Sequence, residues 1–154
     1  MSVFVIVPTY NESENLPSLL QKIDAAVPGL NVLVVDDHSP DNTGLLAESL
    51  RSQYAGRLHV LHRPKKQGLG RAYIAGFKMA MQLGATKLIQ MDADHSHPVD
   101  ALTRMLALSE RYDLVIGSRY VTGGDSPGLK GIRKLVSRFG GLIPVRSWGF
   151  GCKI

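Results

Sequence analysis

Five short apolar runs punctuate the chain: Val3–Val7, Val32–Val35, Leu58–Leu61, Leu88–Met91 and Leu114–Ile116. They are largely apolar on both faces, as strands of a parallel sheet are when helices cover both sides. Helical patterns lie between them. Leu16, Leu19, Leu20 and Ile23 fall at i, i+3, i+4 and i+7. Asn11 and Glu14 ahead of them have the spacing of a capping box. Leu45, Leu46 and Leu50 mark a second helix, with Asp41 or Thr43 as its N-cap. Leu69–Leu83 forms a third, and residues 99–110 a fourth, begun by Pro98 in the first turn. The order βαβαβαβαβ predicts an α/β domain with a mostly parallel sheet flanked by helices. From Val121 onward Gly, Pro and basic residues break the pattern, and only a basic helix over 130–139 is expected.

Composition narrows the class. The chain has 154 residues, enough for one domain with a sizeable core, and 44% of them are hydrophobic. Disorder, collagen and coiled coil are excluded. A single cysteine, Cys152, excludes an intramolecular disulfide framework and a Cys-rich zinc site. No apolar run approaches the ~20 residues that span a bilayer. Met1-Ser2-Val3-Phe4 lacks a charged leader segment, so no signal peptide is expected. A cytoplasmic protein, or one on the cytoplasmic face of a membrane, is the expectation.

Charge is unevenly spread. Residues 1–60 hold three basic and seven acidic side chains, or −4; residues 61–154 hold fifteen and six, or +9. No acid follows Asp125, whereas Lys130, Arg133, Lys134, Arg138, Arg146 and Lys153 do. Such polarity suggests an anionic partner for the second half, or a solvated basic face. Nucleic acid is not expected, because aromatics do not interleave with the basic residues.

In open parallel sheets, ligands bind at the carboxyl ends of the strands. Here those ends carry Pro8-Thr9-Tyr10-Asn11-Glu12, Asp36-Asp37-His38-Ser39, Asp92-Ala93-Asp94-His95-Ser96-His97 and Gly117-Ser118-Arg119-Tyr120. Asp92 and Asp94 can share one hard divalent cation, Mg²⁺ or Mn²⁺, together with diphosphate oxygens. Their alternative role is helix capping. Asp36-Asp37 can accept hydrogen bonds from a base edge or a ribose, but Asp-His-Ser-Pro-Asp is also turn chemistry. Gly68-Leu69-Gly70 lets the third helix approach the ligand face, with Lys65 or Lys66 near phosphate. It lacks the dinucleotide-binding spacing. His95 and His97, on opposite faces of an extended segment, make no zinc site. Arg119 is a phosphate clamp or a surface ion pair.

The segments Val5-Ile6-Val7-Pro8-Thr9-Tyr10-Asn11-Glu12, Val35-Asp36-Asp37-His38-Ser39-Pro40-Asp41-Asn42-Thr43, Gly68-Leu69-Gly70-Arg71-Ala72-Tyr73, Met91-Asp92-Ala93-Asp94-His95-Ser96-His97-Pro98 and Gly117-Ser118-Arg119-Tyr120 stand in this order. Together, over about residues 3–138, they resemble the polyprenol (dolichyl) phosphate mannosyltransferases, family 2 inverting glycosyltransferases with the Rossmann-like GT-A fold. The resemblance implies a nucleotide-sugar-binding core over 1–125 and the start of an acceptor region over 126–154. It implies donor contacts from Pro8, Tyr10, Glu12, Val35, Asp37, Asp92, Ala93, Asp94, Ser96 and Arg119. Asp92 and Asp94 would hold Mg²⁺ or Mn²⁺, and Asp94 and Arg119 would carry catalysis. Arg133 and Ser137 would meet the acceptor phosphate. The donor would be GDP-mannose and the acceptor a polyprenyl phosphate in a membrane, with a membrane-anchoring subunit as a further partner left open. After about residue 138 the sequence departs from the family pattern, so the fold is expected to be incomplete at its C-terminus. Two alternatives stand beside this reading. One is another family 2 enzyme using UDP-glucose or a different donor; the other is an inactive nucleotide-sugar-binding fragment.

Overall fold

The computed structural model describes residues 2–118. Met1–Val115 forms a compact unit. Its elements run β1 (Val3–Thr9), α1 (Leu16–Ala26), β2 (Asn31–Asp36), α2 (Thr43–Leu50), a 3₁₀ turn (Arg51–Tyr54), β3 (Leu58–His62), α3 (Leu69–Gln82), β4 (Lys87–Gln90) and α4 (Ala101–Leu108). The four strands form one sheet in the order β3-β2-β1-β4, and every pair is parallel.

The two-sided apolar character of the strands divides between two cores. Val5, Val7, Val32 and Val34 face a layer containing Leu16, Leu19, Leu20 and Ile23 of α1, Ala47 of α2 and Leu102 of α4. Phe4, Ile6, Leu33 and Val35 face the other way, onto Ala72, Tyr73 and Ala80 of α3. The four α1 side chains are essentially inaccessible. Each such burial contributes about 1.5–3 kcal/mol. This explains how α1 forms although its N-cap, Asn15, makes no side-chain cap hydrogen bond.

Several local expectations need correction. β1 extends two residues past the Val3–Val7 run, to Thr9, with Pro8 opposite Val35. β4 pairs with β1 only as far as Ile6, so the missing Pro8 N–H lies beyond that ladder. The Asn11–Glu14 capping box does not form. Asn11 takes a left-handed conformation (φ 61°), and α1 begins at Leu16. The N-cap of α2 is Asn42, between the two expected residues. Pro98 opens a turn ahead of α4, its carbonyl accepting from Ala101 N–H at 3.2 Å, and the helix is shorter than 99–110. Leu114–Ile116 forms no strand. Its outer residues are apolar but exposed to solvent: Leu114 is 68% and Ile116 72% accessible. The basic helix expected over 130–139 and the 125/126 boundary lie outside the described residues.

Gly76 sets the distance between α3 and the sheet. A Cβ there would stand 2.5 Å from Ile6 Cγ2 and 2.9 Å from Val35 Cγ2. Both contacts are β-branched core atoms that cannot swing away. Gly76→Ala is expected to destabilise the fold by about 1–2 kcal/mol, overpacking outweighing the ~1 kcal/mol gained in helix propensity. A lower urea midpoint at unchanged slope is the expected result.

Candidate active site

The strand order reverses between β1 and β4, because β2 lies on one side of β1 and β4 on the other. The chain therefore leaves the carboxyl ends of β1 and β4 toward different flanks, and a cleft opens between them. That cleft has a volume of about 290 Å³ and is lined by Pro8, Thr9, Tyr10 and Glu12 after β1, and by Asp92, Ala93 and Asp94 after β4. Lys66 and Leu69, from the β3–α3 connection, complete the lining. Gly68 (φ 95°) makes the turn that brings Leu69 there as the first residue of α3.

The β1 loop is held by the β2 loop. Three consecutive backbone N–H groups donate to side chains of the second loop: Asn11 to Ser39 Oγ (3.1 Å), Glu12 to Thr43 Oγ1 (2.9 Å) and Ser13 to Asp41 Oδ2 (3.0 Å). Asp36, 3% exposed, accepts from the Thr9 hydroxyl (3.1 Å), the Ser39 hydroxyl (2.5 Å) and the Ser39 N–H (3.1 Å). The turn-forming role of Asp36 and Asp41 is thus directly visible. Partial burial would raise the Asp41 carboxyl, but the Thr43 hydroxyl and the N–H groups of Ser13 and Thr43 outweigh it and lower its pKa to about 2.

Asp37 sits deeper than a simple base reader would. Its carboxylate pairs with the Arg63 guanidinium, both side chains being over nine-tenths buried, and Arg63 Nη2 also donates to Gln67 Oε1 at 3.0 Å. Arg63 was not singled out from the sequence. Its signal was a charged residue directly after β3, at the same sheet edge as the other clusters. Val35 places its side chain in the α3-side core. Ser96 donates its N–H to Asp94 Oδ1 at 2.9 Å. Among the expected donor residues, the cleft gathers Pro8, Tyr10, Glu12, Asp92, Ala93 and Asp94, whereas Val35, Asp37 and Ser96 lie outside its lining. Arg119, Arg133 and Ser137 lie outside the described residues.

The two aspartates are held differently. Asp94 is exposed, and the Ser96 hydroxyl and N–H keep its carboxyl below the ordinary value. Asp92 Oδ1 accepts from the Tyr73 hydroxyl at 2.8 Å. The Asp92 N–H donates to His97 Nδ1 at 3.2 Å, so Nδ1 is the unprotonated ring nitrogen. His97 Nε2 then faces Asp92 Oδ2 at 3.7 Å. Burial, the bond to Asp92 and the nearby negative charges push the Tyr73 hydroxyl well above the ordinary phenol value, keeping it a donor. The segment is a turn with His95 left-handed (φ 60°), not the extended stretch expected, and His95 Nε2 contacts Ser18 Oγ at 3.0 Å. Among the described residues no group of three or more His, Cys, Asp or Glu is placed to cage a metal. Two carboxylates beside a cleft instead fit a Mg²⁺- or Mn²⁺-type ion that completes its shell with phosphate oxygens and water. The Lys66 ammonium sits 3.8 Å from the centroid of the Tyr10 ring.

A parallel, doubly wound sheet with carboxylates at its switch point is an α/β architecture of the kind that binds ligands at the carboxyl edge of its strands. The sequence profile of glycosyl transferase family 2 matches residues 4–150, and the chain belongs to that family. Polyprenol monophosphomannose synthase of Mycolicibacterium smegmatis is 51% identical over 78% of this chain and 46% of its own length. Undecaprenyl-phosphate mannosyltransferase of Micrococcus luteus is 49% identical over 94% of this chain and 59% of its own. Dolichol-phosphate mannosyltransferase of Pyrococcus furiosus is 44% identical over 90% of this chain and 39% of its own. The chain thus spans about half the length of the curated relatives it matches. Among solved structures, S. aureus TarS 1-349 superposes with a TM-score of 0.57 at 26% identity, covering 71% of this chain and 32% of that one. The mannosyltransferase PcManGT from Pyrobaculum calidifontis, in complex with GDP-Man and Mn²⁺, gives 0.51 at 25% identity, covering 64% and 29%. The GT-A-like expectation for the fold is met by these neighbours.

Two predictions follow from the loop network and the buried pair. Asp41 is more acidic folded than unfolded, so its contribution is full above the unfolded value near 3.8 and is lost as pH falls toward about 2. Urea midpoints measured between pH 5 and pH 2 should fall less steeply in Asp41→Asn than in the wild type. Arg63→Ala leaves Asp37 buried without its partner and should cost about 3 kcal/mol in unfolding free energy, with Arg63→Lys intermediate.

Proposed function

We propose that the protein transfers mannose from GDP-mannose to a polyprenyl phosphate. The observation that carries this reading is the set of relatives at 44–51% identity, all named as mannose transferases or synthases acting on polyprenol-type phosphates. The cleft at the switch point is the donor site. Tyr10, Glu12 and the adjoining backbone take the nucleoside side, and Asp92 and Asp94 the sugar diphosphate. Asp37, held by Arg63, stands at the β2 end of the same edge for the base. Asp92 and Asp94 would hold Mg²⁺ or Mn²⁺, which would neutralise charge on the diphosphate.

In the reaction, an acceptor phosphate oxygen attacks the anomeric carbon of mannose. The bond from that carbon to the diphosphate breaks, and GDP departs with the electron pair. A phosphate monoester is already anionic, so alignment and charge neutralisation, not a strong base, carry catalysis. Arg119 is assigned to phosphate, and Arg133 and Ser137 to the acceptor phosphate, on the resemblance of their segments. The acceptor places the work at the cytoplasmic face of a membrane, with the protein peripheral to it. Among the described residues no helix is long and apolar enough to cross a bilayer. A second reading, a UDP-sugar donor, is favoured by the likeness to S. aureus TarS, also solved in complex with UDP.

Calorimetric titration with GDP-mannose and UDP-glucose, each with Mn²⁺ and again with chelator, separates the two. Metal-dependent binding of GDP-mannose, weakened at least tenfold in Asp94→Ala, is expected. Preference for UDP-glucose would replace the donor. Transfer of labelled mannose to polyprenyl phosphate in vesicles tests the reaction itself; binding without transfer would mark a nucleotide-sugar-binding fragment.

A further inference from the structure

Tyr73 of α3 reaches from the hydrophobic layer to Asp92 in the cleft. Its ring is buried, 8% exposed, in the core with Phe4, Ile6 and Val35. Its hydroxyl ends at Asp92 Oδ1, 2.8 Å away. The ring also lies 5.9 Å from that of Phe77, one helical turn on. The anchoring end of this side chain is therefore fixed by packing, and only the hydroxyl is available for polar work. His97 accepts from the Asp92 backbone N–H at Nδ1 and faces its second carboxylate oxygen. Asp94 is held by Ser96 within its own loop.

We propose that Tyr73 is a positioning residue for the donor diphosphate and its cation: its hydroxyl locks the Asp92 carboxylate in the orientation the cleft requires. The inference rests on the reading of the cleft as a metal-assisted nucleoside diphosphate site. The physical reason is that a carboxylate on a loop has free rotation about χ1 and χ2, and every ligand it is to meet must stop that rotation. A phenol anchored in a core stops it beforehand. The same bond ties the α3 N-terminal half, and with it Leu69 of the cleft wall, to the β4 loop. Tyrosine suits the task because the ring supplies the packing and the hydroxyl the single directed bond.

The test uses the whole chain and GDP as probe, titrated with Mn²⁺ and with chelator. Tyr73→Phe keeps the ring and removes the hydroxyl. It should weaken GDP binding in Mn²⁺ about tenfold and leave the metal-free affinity within about twofold. Asp92→Asn should show a similar loss, and adding Tyr73→Phe to it should weaken binding little further, because the hydroxyl acts through that carboxylate. Equal losses with and without Mn²⁺, no loss, or fully additive losses would each overturn the proposal. Urea midpoints identify a variant that fails to fold. For that case, ¹⁹F NMR of the wild type and Asp92→Asn labelled with 3-fluorotyrosine reads the same contact. A Tyr73 resonance that moves in Asp92→Asn and again when Mn²⁺ and GDP are added to the wild type supports the proposal, and an unmoved one overturns it. Absence of any Mn²⁺-dependent GDP binding by the wild type is a different result: it removes the nucleoside diphosphate reading and this inference with it.

Discussion

Parallel pairing on both sides of β1 is the constraint on which the described structure depends. All four strands point the same way, so their carboxyl ends share one edge. β2 lies on one flank of β1 and β4 on the other, so the connections depart in opposite directions. The gap they leave is where the polar residues after β1 and β4 meet. Had β4 paired beyond β3, the same residues would lie on the far side of the sheet from Tyr10 and Glu12, and the cleft would not exist.

A polar network ties the β1 and β2 loops of that edge together. Three successive N–H groups after β1 are accepted by Ser39, Thr43 and Asp41, and Asp36 binds Thr9 and Ser39 beneath them. Groups that water would otherwise have to serve are matched within the protein, which removes the desolvation penalty of a loop packed on a loop. Asn11 and His38, each two residues past its strand, are left-handed at φ 61° and 60°. Such conformations persist where surrounding bonds over-determine them, and they occur here at the edge that carries the cleft. This network fixes the β1 side of the cleft, which Tyr10 and Glu12 line.

The family assignment and the geometry support one another at different levels. Identity of 44–51% to three relatives concerns the sequence as a whole. The structure adds which side chains of the strand-end segments reach the cleft and which lie behind it. Asp36, Asp41, Ser39 and Thr43 form scaffolding, Arg63 and Tyr73 hold other polar groups, and Tyr10, Glu12, Asp92 and Asp94 line the cleft. A motif read as one block thus separates into layers with different consequences for substitution.

The two-sided apolar runs by themselves determined four parallel strands, and the i, i+3, i+4 periodicities determined the helices between them. Period and burial are local properties of a sequence, so they can be read without coordinates. The clustering of acids after β1, β2 and β4 likewise pointed to the sheet edge at which the cleft lies. The run Leu114–Ile116 had the same local signal yet forms no strand in the described structure, where Leu114 and Ile116 are exposed: apolar character alone does not supply the pairing and cover a strand needs. The Asn11–Glu14 spacing gave no cap for a related reason: Ser39 from another loop claims the Asn11 N–H. The Arg63–Asp37 pair joins residues 26 apart, and Tyr73–Asp92 residues 19 apart. Only tertiary structure decided these contacts, because the packing of α3 against β1 and the ordering of β3 beside β2 bring them together, and neither distance is encoded in any local pattern.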